Sequence, residues 1–206
     1  MRVLILAPHT DDGEFGCGGT VHRLIREGHN VHYVALSAAE TSLSAQWSPN
    51  TLRDEVIQAT RILGVQVGCV QVKDFPVRNF PSFRQAILEV LVALQGSLQP
   101  DMVFIPSTDD THQDHQVVSH EGFRAFKRTT LVGYELPWNN LTFKASFFVR
   151  LSPEDVGRKV EAIHAYRSQA DHLYTTEDFL RGLARVRGVQ IGAGYAEAFE
   201  VLRWII

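Results

Sequence analysis

Short apolar runs alternate with helical patterns from the first residues onward. Arg2 to Ala7 is an apolar run closed by Pro8 and reads as a buried strand. Gly16, Gly18 and Gly19 follow, and a helical pattern begins near Thr20. Val31 to Ser37 is the second predicted strand. Ala38 to Asn50, polar and rich in small residues, reads as a loop beside the site, with Trp47 in it. Asn50 or Thr51 caps a helix that runs to about Leu63 and stops at Gly64. Val65 to Val72 is the third strand, Ser82 to Leu94 an amphipathic helix, and Asp101 to Pro106 the fourth strand. His115 to Lys127 continues as a helix, Leu131 to Leu136 is a fifth strand, Pro137 to Leu141 a turn, and Ala145 to Arg150 another strand. Ser152-Pro153-Glu154-Asp155 starts a helix, with Ser as cap, Pro in the first position and acids in the first turn. That helix runs to about Tyr166. Glu177 to Val186 is a further helix, and Phe199 to Ile205 a final strand.

The β-α-β-α order predicts an α/β fold: a Rossmann-like, mostly parallel sheet with helices on both faces and right-handed crossovers. With 206 residues, no repeat and no low-complexity linker, residues 1–206 read as one domain. A net charge of −3 with scattered basic residues argues against nucleic acid or a membrane surface as partner. The N-terminal run is too short for a signal peptide, and no stretch is long enough to span a membrane. Cys17 and Cys69 lie far apart and read as reduced thiols of a cytoplasmic protein.

Two polar clusters each follow a predicted strand: His9, Asp11 and Asp12 after the first, and Asp109, Asp110, His112, Asp114 and His115 after the fourth. If those strands are parallel neighbours, both clusters meet on one sheet edge, where open α/β sheets bind ligands. Crowded carboxylates repel unless a cation or a shared proton compensates. Two imidazoles and a carboxylate can hold Zn²⁺ and leave a fourth position for water. Remaining residues can serve as acid and base beside that water. A dinucleotide fingerprint is a poor alternative for the glycines, because Pro8, His9, Asp11 and Asp12 stand where glycine is wanted and acids repel a pyrophosphate. The glycines read instead as allowing the first helix to pack closely under the site.

Pro8-His-Thr-Asp-Asp-Gly-Glu-Phe-Gly-Cys-Gly-Gly-Thr20 resembles the signature of the PIG-L/LmbE-type zinc deacetylases, and His112-Gln-Asp-His115 resembles their second motif. Thr10 stands where that family usually has Pro, and Gly13 where it usually has an acid. Arg53-Asp-Glu55 with Leu63-Gly-Val65, Ser168-Gln169 and Tyr195-Ala-Glu-Ala-Phe199 extend the resemblance along the chain, although Tyr166 replaces a usual His. The resemblance implies an LmbE-like fold and removal of acetyl from an N-acetylglucosamine-type sugar, free, nucleotide-linked or in a glycoconjugate. It implies His9, Asp12 and His115 as metal ligands, Asp11 as general base, His112 as oxyanion stabiliser or proton donor, and Asp114 as the group orienting an imidazole. It suggests Arg53 and Asp74 as sugar contacts. Trp138 and Asn139 read as a wall for the sugar ring. The family's active-site Tyr has no counterpart between Ser107 and Thr111, leaving Tyr134, Tyr166 and Tyr195 as candidates.

His22, His29, His32, His120, His164 and His172 read as surface or structural histidines. Zn²⁺ is the expected ion, though the same ligand types suit Fe²⁺ and leave a non-haem iron enzyme as a second reading. A non-catalytic metal- or nucleotide-binding module, with Asp11 as fourth ligand, is the third. The small-molecule amino sugar is the expected partner. The C-terminal strand Val201 to Ile206 either finishes the sheet or pairs across a homo-oligomer two-fold.

Overall fold

The computed structural model describes residues 1–205. Its strands are β1 (Arg2–Ala7), β2 (Asn30–Ala35), β3 (Val70–Val72), β4 (Met102–Pro106), β5 (Thr130–Tyr134), β6 (Phe147–Leu151) and β7 (Tyr195–Arg203). The helices are α1 (Asp12–Arg26), α2 (Thr51–Ile62), α3 (Arg84–Leu98), α4 (Gln113–Ala125), α5 (Pro153–His164) and α6 (Glu177–Val189). One seven-stranded sheet runs in the order β3-β2-β1-β4-β5-β7-β6. The strands from β3 to β5 are parallel, and β7 runs antiparallel to both β5 and β6.

Strand periodicity sorts the core into two layers, because successive side chains leave opposite faces of a strand. Val3, Ile5, Ala7, Val31, Tyr33 and Phe104 pack with residues of α1, α2 and α5 on one face. Leu4, Leu6, Val34, Val103 and Ile105 pack with α3 and α4 on the other. The central strands are therefore apolar on both sides, as a sheet covered twice requires.

Three elements depart from the sequence expectation. The first helix begins at Asp12, not near Thr20. Its glycines weaken helix propensity, but close packing overrides them: a Cβ on Gly16 would sit 2.3 Å from the Tyr134 ring, and one on Gly19 2.6 Å from Leu151. The third strand shrinks to three residues because Val67–Cys69 forms a 3-10 turn. The last strand begins at Tyr195, not Phe199, and lies inside the sheet between β5 and β6. Of the described part of Val201 to Ile206, Val201 to Arg203 pair with β5 in the sheet and Trp204 and Ile205 lie beyond the strand; Ile206 lies outside the described residues. Other ends shift by a few residues. The expected Ser152 cap forms and is reciprocated as a capping box, with Ser152 Oγ accepting from Asp155 N at 3.1 Å and Asp155 Oδ2 from Ser152 N at 2.8 Å. Cys17 and Cys69 are free thiols. Among the described residues, no helix is long and apolar enough to cross a membrane.

Helix α1 is broken at Cys17, where φ is −149° and ψ 20°. A break leaves backbone groups without helical partners. A buried ion pair takes their place. Glu197 accepts from Gly19 N at 3.1 Å and Thr20 N at 2.7 Å, and Lys159 Nζ donates to Phe15 O at 2.6 Å. Lys159 and Glu197 join at 2.6 Å with both side chains about 5% exposed. Removing one member of such a pair strands the other, so Glu197→Ala should lower unfolding free energy by about 3–5 kcal/mol in chemical denaturation. A loss below about 1 kcal/mol would show that the pair does not hold the kink.

Candidate active site

β1 and β4 are adjacent and parallel, with Leu4 opposite Val103 and Ile5 opposite Phe104. Their C-terminal ends therefore open on one edge, at the point where the strand order reverses. The chain leaves β1 through Pro8, His9 and Thr10 into α1, and leaves β4 through Ser107–Thr111 into α4. The two polar clusters converge there.

Three ligand-type atoms form a near-equilateral triangle. Asp12 Oδ2 lies 3.2 Å from His9 Nδ1 and 3.3 Å from His115 Nε2, and the two nitrogens are 3.3 Å apart. A tetrahedral ion with bonds of about 2.0–2.1 Å spaces its ligands by about 3.3–3.4 Å, so the donor set fits a zinc-sized ion. The nitrogens of His9, His112 and His115 also lie within 4.8 Å of one another. The tighter set with Asp12 is the better match, because it brings a neutralising carboxylate.

Carboxylates behind both imidazoles fix which nitrogen faces the centre. Asp114 Oδ2 is 3.0 Å from His9 Nε2, and Asp110 Oδ2 is 2.7 Å from His115 Nδ1. Such outer carboxylates orient metal-binding histidines and raise their basicity. The sequence put Asp110 in the cluster without a role; two-residue spacing from His112 did not reveal that it backs His115. His112 caps α4, and its Nδ1 accepts from Asp114 N at 3.1 Å. Its proton is therefore on Nε2 in the neutral ring.

Adjacent carboxylates titrate in opposite directions. Burial disfavours charged Asp12, yet His115 and His9 outweigh it and hold this carboxyl well below the usual range. Burial also opposes the imidazolium forms of His9 and His115, but Asp12 and the backing carboxylates raise them to about 9 and about 10. The cluster thus calls for positive charge between its donors. No other residue donates to the Asp11 carboxylate among the described residues, and burial plus the charge of Asp12 lift it to about 6. Burial, with the neighbouring charges of His115 and His9, pushes His112 down. Divergent carboxylates of this kind mark separate roles.

Below the loop, Tyr33 and Tyr166 both donate to Thr10 O, at 2.8 and 2.6 Å, and both contact the buried carboxyl of Glu14. Burial pushes Glu14 up to about 8. This network fixes the link between His9 and Asp11.

The site opens into a cavity of about 310 Å³. His9, Asp11, Asp12, His112 and His115 line one side; Phe15, Trp138, Asn139 and Tyr174 form an aromatic and polar wall. Trp138 stacks on Tyr174 with centroids 4.2 Å apart. Arg53 and Asp74 do not line this cavity. They bound an adjoining hollow, where Arg53 is held by Asp74 at 2.5 Å and Glu40 at 2.8 Å. None of Tyr134, Tyr166 and Tyr195 reaches the cavity lining, since Tyr134 donates to Leu6 O and Tyr166 to Thr10 O inside the core. The tyrosine presented to the cavity is Tyr174, which no motif flagged. His120 is exposed, His22 bonds Asp155, and His164 bonds Thr175 O, in keeping with structural roles.

The family model for GlcNAc-PI de-N-acetylase matches residues 4–126. The chain belongs to the PIG-L family. Diacetylchitobiose deacetylase of Thermococcus kodakarensis is 28% identical over 97% of this chain and 82% of its own length. A conserved protein of Thermus thermophilus superposes with a TM-score of 0.82 at 29% identity, covering 99% of this chain and 95% of that one. The inhibitor-bound N,N'-diacetylchitobiose deacetylase of Pyrococcus horikoshii gives 0.81 at 25% identity, over 98% and 83%. Two of these relatives are thus named as deacetylases of an N-acetylated sugar, and the fold is theirs.

In this PIG-L chain the unusual Gly13 has a steric cause. A Cβ there would meet the Tyr33 ring at 2.5 Å and its hydroxyl at 2.6 Å. Gly13→Ala should displace Tyr33 from Thr10 O and destabilise the fold by about 1–3 kcal/mol, read by thermal or denaturant melting. An unchanged melt would mean that Tyr33 has room to give.

Proposed function

We propose that the chain is a zinc-dependent N-deacetylase of N-acetylated amino sugars, with His9, Asp12 and His115 as the metal ligands. The observation that carries this is the 3.2–3.3 Å triangle of His9 Nδ1, Asp12 Oδ2 and His115 Nε2, with the unpartnered carboxyl of Asp11 beside it. When bound, the ion supplies Lewis acidity toward the amide carbonyl and an acidified water. Asp11 accepts the proton of the attacking water and returns it to the departing nitrogen, which leaves as a free amine beside acetate. His112 donates from Nε2 to the amide oxygen as negative charge gathers there. Its Nδ1 already accepts from Asp114 N, so giving up the Nε2 proton would leave an imidazolate; the geometry favours oxyanion stabilisation over amine protonation. Asp114 and Asp110 hold the two ligand imidazoles.

Trp138 and Tyr174 offer an apolar wall to the sugar face, with Asn139 beside them. Arg53 and Asp74, locked together, bound the hollow next to it and meet hydroxyls there. A closed structural site would need Asp11 as a fourth ligand.

Asp11→Asn separates these readings. It should retain zinc by elemental analysis and lose about 10²- to 10⁴-fold in amine release from N-acetylated amino sugars. Loss of the metal along with the carboxylate would favour the non-catalytic module, and full activity would remove Asp11 as base. Asp12→Ala should abolish zinc retention and, with it, activity; zinc addition should restore chelator-treated parent and not this variant.

A further inference from the structure

The cavity is lined by one arginine and no lysine: Arg78, an exposed residue of the loop after β3. Its guanidinium reaches Ser42 Oγ at 3.3 Å through Nη2, and no carboxylate lies within ion-pair distance among the described residues. Nε and Nη1 have no acceptor among the described residues. Arg53, on the neighbouring rim, differs: Glu40 and Asp74 already answer its charge. Arg78 is therefore the cation at this cavity whose charge the protein leaves open.

The backbone at Arg78 is also unusual. Its φ is +66°, a left-handed conformation that costs a residue with a side chain about 1–2 kcal/mol. Glycine would relieve that strain, yet an arginine stands there. Strained positions held by their surroundings cluster at ligand sites. Here the surroundings are the site itself: Asp114 Oδ2 accepts from Arg78 N at 2.6 Å, and Asp114 Oδ1 from Phe80 N at 3.1 Å. The same Asp114 Oδ2 lies 3.0 Å from His9 Nε2. One buried carboxylate thus fixes both an imidazole of the reacting centre and the backbone that carries the free cation. Arg78 stands at a set offset from the amide that Asp11 and His112 address.

A guanidinium with two free donor edges binds carboxylate or phosphate by paired, parallel hydrogen bonds. We propose, building on the deacetylase reading above, that the substrate is an N-acetylated amino sugar bearing an anionic substituent, a carboxylate or a phosphate ester, which Arg78 grips. A neutral sugar would leave this guanidinium without a counter-charge.

The test compares N-acetylglucosamine 1-phosphate, the carboxymethyl glycoside and the uncharged methyl glycoside of N-acetylglucosamine, on zinc-loaded parent, Arg78→Gln and Arg78→Gly. The parent should show kcat/KM at least about tenfold higher on an anionic compound than on the methyl glycoside, the size of a single charge-assisted contact. That ratio should fall to within twofold in both variants. Preference for the phosphate names the ester as the group, and preference for the carboxymethyl compound names the carboxylate. Arg78→Gly should melt no lower than the parent, because glycine suits the left-handed backbone; a role confined to structure would instead lower the melt. In parallel, calorimetric titration with glucosamine 1-phosphate, carboxymethyl glucosaminide and methyl glucosaminide reads the site without turnover. A parent that shows no preference for either charged amine in that titration, or a preference that survives Arg78→Gln, overturns the anion site. Absence of deacetylation on all three substrates, with charged-amine binding that Arg78→Gln abolishes, would overturn the deacetylase function and leave the anion site standing.

Discussion

Asp11, Asp12, Glu14, Asp110 and Asp114 share with three imidazoles the edge where β1 and β4 end, and their mutual charge dictates what surrounds them. Two like charges about 4 Å apart repel by roughly 4 kcal/mol at an effective dielectric of 20. The chain relieves this in layers. Asp12 is enclosed by His9 and His115, while Asp110 and Asp114 stand behind those rings and face the centre only through them. Glu14 is buried against two tyrosine hydroxyls, where burial favours its neutral form. Of these, Asp11 alone takes no donor from another residue among the described residues, and with Asp12 it lines the cavity.

Holding those groups still falls to helix α1. Its first turn carries Asp12 and Glu14, and its N-terminus favours the negative charge there. The break at Cys17 lets the helix turn, and Lys159 with Glu197 replaces the backbone bonds that the break removes. Those two residues come from α5 and β7, at the far end of the sequence. The reacting edge at the N-terminus thus depends on the last strand of the sheet, which explains why β7 sits inside the sheet and not at a free edge.

The fold class was legible because period-two and helical patterns alternate cleanly through β1, β2, β4 and β5. Elements whose residues are chosen for packing hid themselves. The glycines of α1 read as allowing close packing, which Tyr134 and Leu151 bear out, but propensity counts against them and puts the helix start near Thr20 instead of Asp12. Ala196 to Ala198 lack the branched side chains that mark a strand, so β7 was read four residues short. In the site, the residues around His9 and His115 announced themselves by type and spacing after a strand. Asp110 as the partner of His115, Tyr174 on the wall and Arg78 opposite it did not. Each acts through a three-dimensional neighbour, and nothing in the local sequence of Val77-Arg78-Asn79 tells a strained, unpaired arginine from an ordinary loop residue.

The cavity is built from two kinds of material. The reacting side stands on strand ends and the first turns of α1 and α4, elements anchored by the whole core. The opposite side stands on the loops after β2 and β3, whose lining residues include Ala39, Ser42, Val77 and Arg78. Loops tolerate change while strand ends do not. Chemistry and selectivity can therefore vary independently, except where one residue belongs to both. Asp114 is that residue: it bonds His9 on the rigid side and the backbone of Arg78 and Phe80 on the loop side. Its carboxylate has fixed reach, so the loop that carries Arg78 is held in register with the His9 imidazole, whatever side chains the loop presents.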